Sequence, residues 1–451
     1  VAGRGGPSPL KKPRPTARGW TFGAVGVVAL AASAFFGRTD VLFVGVFLTV
    51  LPLAAMISVT LDRPRLTVAR SFHPDVVAVG EQATIVTTAR NQAARPSPPA
   101  RWREYAPAGI EVQGSAPFPR LGAHQVNVAH GRDTVVLRQD VVAFKRGSHP
   151  VGPLIVSRTD PFGVAYAEYA VGQPRQLLVT PRVVPLSSGE LDVAHSEGAE
   201  HELQRHSIPS ADELIAREYR PGDPLRRVHW RATARHDKLM VRQEEQRSNP
   251  EAWILMDTRA APATAGALRP PDATSAYEPD DALFETLMEL VASVGVHLLD
   301  EGFVLSVVET APRQLSGRSG AGRTGTLGSV TPTYDRGTAD RLLLADLAAV
   351  DAAAVTRDDA VAELASGLRH AGRAVPIFAV LLDGTPELGS LAALRGMGDP
   401  AVAFVGEGAA PEVEDVLGDA GWLCVPFAAG DDPAECWQRA LDRQRAVVGH
   451  G

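Results

Sequence analysis

The chain has 451 residues, which at about 150 residues per domain suits about three domains and leaves room for a sizeable core. Apolar residues make up 45% and charged residues 22%, a balance that excludes wholesale disorder, and a net charge of −7 argues against nucleic acid as the partner of the whole chain. The two cysteines, Cys424 and Cys436, exclude a disulfide framework and a cysteine-built zinc site, and read as free thiols in a reducing compartment.

Residues 1–19 form a basic leader carrying Arg4, Lys11, Lys12, Arg14 and Arg18 and no acid. Trp20 to Phe36 is uncharged, Gly37-Arg38-Thr39-Asp40 is a short polar turn, and Val41 to Leu61 is uncharged again. At 1.5 Å per residue the second run reaches about 30 Å, the thickness of a bilayer core. Residues 20–62 are therefore expected to form two transmembrane helices in a hairpin. The basic leader, with Arg63, Arg65 and Arg70 beyond the second run, places both ends in the cytoplasm. The expected location is the inner or plasma membrane, multi-pass, with the N-terminus and the C-terminal body cytoplasmic. A signal peptide cleaved near Ala32-Ser33-Ala34 is the competing reading, and the long basic leader weighs against it. A buried soluble helix pair is the other alternative.

Residues 63–180 read as a β-rich domain. Val76–Val79, Ala83–Thr88, Thr134–Leu137, Val141–Phe144 and Leu154–Val156 are short β-branched runs punctuated by Gly and Pro, which predicts an antiparallel, immunoglobulin-like β-sandwich. Asp160-Pro161-Phe162-Gly163 reads as a tight turn.

Residues 181–451 change grammar. Apolar strand candidates at 253–256, 303–308, 374–382, 401–405 and 422–425 alternate with helix candidates at 280–299, 360–370, 411–420 and 433–448, predicting a doubly wound parallel sheet. Two biased loops, 259–279 and 311–337, are expected to extend from it. Residues 340–451 contain no Lys and read as an acidic solvated face.

The densest stretch is 212–247. Pro221-Gly222 makes a turn, and Asp223 can cap a helix whose first position is Pro224. That helix would end at His236-Asp237, before a strand over 239–241. One reading is a basic helix gripping phosphate, nucleic acid or an acidic partner. The other is structural or partner-docking: Trp230 anchors the helix, while Arg220, Arg227 and Arg231 pair with acids such as Glu218, Glu244 and Glu245. The second is preferred, because no Gly-rich cradle, metal set or nucleophile–base pair accompanies the arginines.

The run Arg217-Glu218-Tyr219-Arg220-Pro221-Gly222-Asp223-Pro224, continued by Arg226-Arg227-Val228-His229-Trp230-Arg231-Ala232 and Lys238-Leu239, resembles the signature of the domain-of-unknown-function family 58 (DUF58). Arg146-Gly147, Gly152-Pro153, Asp160–Gly163 and Leu178-Val179-Thr180-Pro181 follow that family's order. The resemblance implies a von Willebrand factor A-like α/β domain opening on the strand 253–257. It also implies a protein partner, a MoxR-type AAA+ ATPase, in assembly or remodelling of protein complexes, and marks Arg217, Glu218, Tyr219, Pro221, Gly222, Asp223, Arg227, Trp230, Arg231 and Lys238 as interaction residues. Metal-binding von Willebrand A domains carry Asp-x-Ser-x-Ser after that strand; here Asp257-Thr258-Arg259-Ala260-Ala261 keeps the carboxylate, loses both serines and adds a cation. Thr258 is expected to point away. No metal and no cofactor are expected. Gly317–Thr324 imitates a P-loop, yet no helix can start after it, and Cys424, in a strand without a nearby His, is not expected to be a catalytic thiol. The expected function is a non-enzymatic, membrane-tethered adaptor. The alternative is a metal-dependent phosphate-handling hydrolase using the arginine-rich segment and Asp257.

Overall fold

The structure is a computed structural model that describes residues 8–61, 63–125, 131–187, 216–218, 233–234, 238, 240–242, 250–259, 279–310, 314–315, 331–335, 337–352, 359–371, 374–382 and 387–448. It divides into two compact units, Val1–Val183 with Leu344–Val350, and Val184–Leu343 with Asp351–Gly451. The segment 344–350 returns to the first unit. There, buried Arg146 donates from one nitrogen to the carbonyls of Leu347 and Val350.

The first unit opens with β1 (Ser8–Pro15), α1 (Ala17–Phe36) and α2 (Thr39–Leu61). Its further strands are β2 (Leu66–His73), β3 (Val76–Ala78), β4 (Gln82–Asn91), β5 (Ala100–Glu104), β6 (Ile110–Val112) and β7 (Ala116–Phe118). They continue with β8 (Thr134–Ala143), β9 (Gly147–Val151), β10 (Leu154–Thr159), β11 (Ala165–Val171) and β12 (Arg175–Thr180).

Within the basic leader, residues 8–15 are a strand, antiparallel to β11, with register breaks between Pro9 and Lys11 and between Lys11 and Arg14. It is the outer strand of its sheet, where proline leaves no ladder bond unmade; its proline-rich basic sequence lacks the alternation that announces a strand. Because β1 precedes α1 and β11 follows α2, their pairing makes the two helices leave and re-enter the unit on the same side. Thr16 fixes the entry: its N–H donates to Val164 O (2.9 Å), its hydroxyl to Gly163 O (2.7 Å), and its oxygen accepts from the Gly19 N–H (3.2 Å). The Asp160–Gly163 turn holds those carbonyls in place, since the Asp160 carboxylate accepts from the N–H groups of Phe162, Val164 and Ala165. Tyr169 closes the exit by donating its hydroxyl to Val59 O at 2.7 Å.

Among the described residues three helices, α1, α2 and one in the second unit, are long and apolar enough to cross a membrane. Only 17% of α1 and of α2 is buried, and Trp20, Phe35, Phe36, Phe43 and Phe47 point outward. Gly37, at φ 59°, ends α1 in the left-handed conformation that glycine tolerates. The helices touch where side chains are missing: a Cβ on Gly26 would lie 2.5 Å from Thr49 Oγ1, and one on Gly45 would lie 2.9 Å from Leu30.

Two β layers complete the unit. One is the antiparallel sheet β2-β4-β8-β6; the strands facing it are β1-β11-β10-β5-β7 and the smaller β3-β12-β9, whose β3–β12 pair is parallel. Alternate residues of β4 are buried: Ala83 and Ile85 pack with Leu177 and Val179, while Ala89 packs with Trp102, Val156 and Tyr169. Between these clusters lies a buried pair, Arg70 Nε donating to Glu104 Oε2 (3.1 Å), with the Thr87 hydroxyl on Glu104 Oε1 (2.6 Å). Arg70 is therefore an interior cation; read as a charge flanking the membrane, it is corrected.

The second unit begins with a separate ribbon of β13 (Ala216–Glu218) and β14 (Met240–Arg242). Its main sheet uses β15 (Glu251–Met256), β16 (Val304–Glu309), β17 (Thr333–Tyr334), β18 (Val375–Leu381), β19 (Gly398–Gly406) and β20 (Leu423–Phe427). Its helices are α3 (Pro279–Asp300), the start of α4 (Ala339–Leu347), α5 (Ala360–Ala371), α6 (Leu388–Ala393), α7 (Pro411–Asp419) and α8 (Pro433–Val448). The order is β17-β16-β15-β18-β19-β20, parallel except for edge strand β17. Read by sequence this is 3-2-1-4-5-6, a doubly wound sheet whose winding reverses between β15 and β18. One face packs on α5, α6 and α7 through Leu364, Leu391 and Leu417. On α8, Trp437 stacks against Phe378 of β18 and His297 of α3. The third membrane-length helix is α3, of which 61% is buried, as befits a core element.

Candidate functional site

In an open α/β sheet, ligands bind beyond the carboxyl ends of the strands where the winding reverses. Asp257, directly after β15, stands at that point, and its N–H donates to Val380 O of β18 (2.8 Å). Its side chain is fully buried and crowded with donors. Arg259 grips it as a fork, Nε to Oδ1 at 2.7 Å and Nη2 to Oδ2 at 2.6 Å, and adds its own backbone N–H to Oδ1 at 3.2 Å. The Thr310 hydroxyl reaches Oδ1 at 2.7 Å, and the Leu382 N–H reaches Oδ2 at 3.3 Å. A carboxylate offers about four lone-pair sites, so five donors saturate it.

Thr258 is also buried, and its N–H donates to Thr310 Oγ1 at 3.1 Å. Thr310 thus ties both residues that follow β15 to the end of β16. The arrangement neutralises the acid with the chain's own cation, in bidentate geometry and out of water. A divalent ion could reach Asp257 only by displacing Arg259, so these residues do not fit a metal. Among the described residues no other group of His, Cys, Asp or Glu gathers to hold one.

The arginine-rich segment contributes fewer described residues. Arg217 and Glu218 lie on β13, paired in register with Val241 and Met240 of β14; the strand expected over 239–241 is thus present, one residue later. Thr233 and Ala234 are helical and Lys238 is exposed. Tyr219, Arg220, Pro221, Gly222, Asp223, Arg227, Trp230 and Arg231 lie outside the described residues, as do Glu244, Glu245 and the P-loop-like 317–324. Cys424 lies in β20, where burial, aided by Glu414, pushes its thiol up to about 11, and burial raises Cys436 as well.

Thr310 and Leu382 were not picked out from the sequence. Thr310 does follow a buried strand next in order to the one before Asp257, and a hydroxyl there is the one local sign available.

A family model described as protein of unknown function DUF58 matches residues 215–269. No curated protein matches the chain. Among solved structures, a von Willebrand factor type A protein from Catenulispora acidiphila is similar at 14% identity over 47% of this chain and 44% of that one, with a TM-score of 0.27. The chain thus spans less than half of that protein. A CARDB domain from Pyrococcus furiosus, solved in complex with di-metal ions, is similar at 19% identity over 24% of this chain and 88% of that one, with a TM-score of 0.17. Likenesses this distant carry no functional weight.

Proposed function

We propose that this chain is a membrane-tethered, non-enzymatic adaptor whose body presents a surface to protein partners, among them an AAA+ ATPase of the MoxR type. The observation that carries the reading is the Asp257–Arg259 fork: where an α/β sheet does its chemistry, the acid is saturated by internal donors. The match to residues 215–269 supports placing the docking surface in the arginine-rich segment. The strand order 3-2-1-4-5-6 with an antiparallel third strand supports reading the second unit as von Willebrand A-like, and the two facing β layers support an immunoglobulin-like first unit.

In this reading α1 and α2 cross the bilayer as a hairpin. The β1–β11 pairing supports an even number of crossings, and Arg14, Arg18, Arg63 and Arg65 support a cytoplasmic body. The hydrolase alternative would need Asp257 free to hold a cation, and Arg259 stands against it. The test is affinity capture of the full chain from its own membranes, with a Trp230→Ala variant alongside. An AAA+ ATPase recovered with the wild type and depleted with the variant is the expected result; recovery of none with either chain contradicts the proposal.

A further inference from the structure

Some arginines of the first unit are matched to acids: Arg70 to Glu104, Arg90 to Asp133, and Arg103 to Glu168. A small cleft of about 60 Å³, open to solvent, lies just past the end of α2. Arg63, Arg65, Arg95 and Arg158 line it, with Asn91 and Ser97, and no carboxylate is among the described residues of its lining. Arg63, Arg65 and Arg95 are exposed and make no ion pair with a described residue; neighbouring Asp62 lies outside the described residues. Two of these arginines hang from fixed backbone: Arg65 O accepts from the Gln92 N–H at 2.7 Å, and Arg95 O accepts from Asn91 Nδ2 at 2.8 Å. Asn91 is itself pinned to Gly122 O at 2.8 Å.

The level of the cleft matters as much as its charge. Arg63 is two residues beyond Leu61, hence within about 7 Å of the helix end. Leu61 is 79% exposed and Ile57 59%, so apolar surface runs down α2 to that point. Phe162, 64% exposed, sits in the turn that receives Thr16. In the hairpin reading, the exposed guanidinium groups of Arg63, Arg65 and Arg95, just past such a rim, would stand near the phospholipid phosphates, which guanidinium forks bind in bidentate fashion.

We propose that this cleft binds the phosphoryl headgroup of an anionic membrane lipid. The inference rests on the hairpin reading of α1 and α2, and adds a lipid site to it. The full chain would be reconstituted into phosphatidylcholine vesicles with or without about one third phosphatidylglycerol, tested for resistance to carbonate extraction, and extracted for native mass spectrometry of retained lipid.

The expected result is one phosphatidylglycerol held per chain. It should bind about fivefold more weakly for each arginine removed, so about 25-fold more weakly in Arg65→Gln/Arg95→Gln. Arg14→Gln/Arg18→Gln, outside the cleft lining, should keep the bound lipid. Equal retention of both lipids, or an unaffected cleft variant, overturns the inference while leaving the hairpin intact. Glycerol 3-phosphate binding as tightly as the lipid also overturns it, in favour of a soluble phosphate. A chain stripped from vesicles by carbonate overturns the hairpin reading and the lipid site together.

Discussion

Replacing Arg259 by Ala would leave the fully buried Asp257 carboxyl without its cation. Breaking a buried ion pair from one side costs about 3–5 kcal/mol. The Thr310 hydroxyl, the Leu382 N–H and the backbone N–H of residue 259 would still hold the carboxylate, which moves the expectation to the lower end, about 3 kcal/mol. Arg259 is only 12% exposed, so solvent screening takes little from that figure. For a unit of this size it corresponds to a melting point lower by about 6–12 °C. Hydrogen exchange read by mass spectrometry should localise the loss to peptides covering β15 and β18. Adding Asp257→Asn to the variant removes the stranded charge and should return at least about 1.5 kcal/mol. A cost under about 0.5 kcal/mol for Arg259→Ala, or no recovery from the second substitution, would show that the fork does not hold β15 to β18.

Other residues give independent checks. Gly26→Leu would drive a side chain into Thr49 and should cost the hairpin about 1–3 kcal/mol, read as a lower melting point in detergent. Gly23→Leu, whose Cβ meets nothing within 4 Å, should leave that melting point unchanged. The Asp133 carboxyl is held down at about 2, first by the Gln125 N–H, against the opposing effect of burial, and then by Arg90. Since its folded value lies below the ordinary carboxylate value of about 3.9, its contribution is complete above that pH and is lost as pH falls through about 2. Acid unfolding curves over that window should flatten in Asp133→Asn. With its thiol pushed up to about 11, Cys424 should resist alkylation at about pH 8 in the folded chain and react on unfolding; equal rates in both states would contradict its burial.

The second unit was legible because buried parallel strands are continuous apolar runs. The run ending at Met256 and the segments 374–382 and 433–448 became β15, β18 and α8 within two residues at either end. The first unit was harder. Thr134–Leu137 and Val141–Phe144 read as two strands because Arg138-Gln139-Asp140 breaks the apolar pattern. They are one strand, β8, in which Gln139 Nε2 donates to Gln113 O at 2.7 Å. β6 is only three residues long, and β7 and proline-bearing β1 and β9 carry too few β-branched residues to declare themselves. At the candidate site, Asp257 and the cation at Arg259 were readable from the broken Asp-x-Ser-x-Ser pattern. Their fork, and its closure by Thr310 and Leu382, depends on contacts 53 and 125 residues apart in sequence, which no local pattern encodes.

The adaptor reading depends on the sheet's reactive end being closed by an internal cation. Isothermal titration of the full chain with magnesium and then manganese, beside Asp257→Ala, tests it most directly. The expected result is no stoichiometric uptake that distinguishes the two proteins. One tightly held ion per wild-type chain, lost in the variant, would contradict it and return Asp257 to metal chemistry.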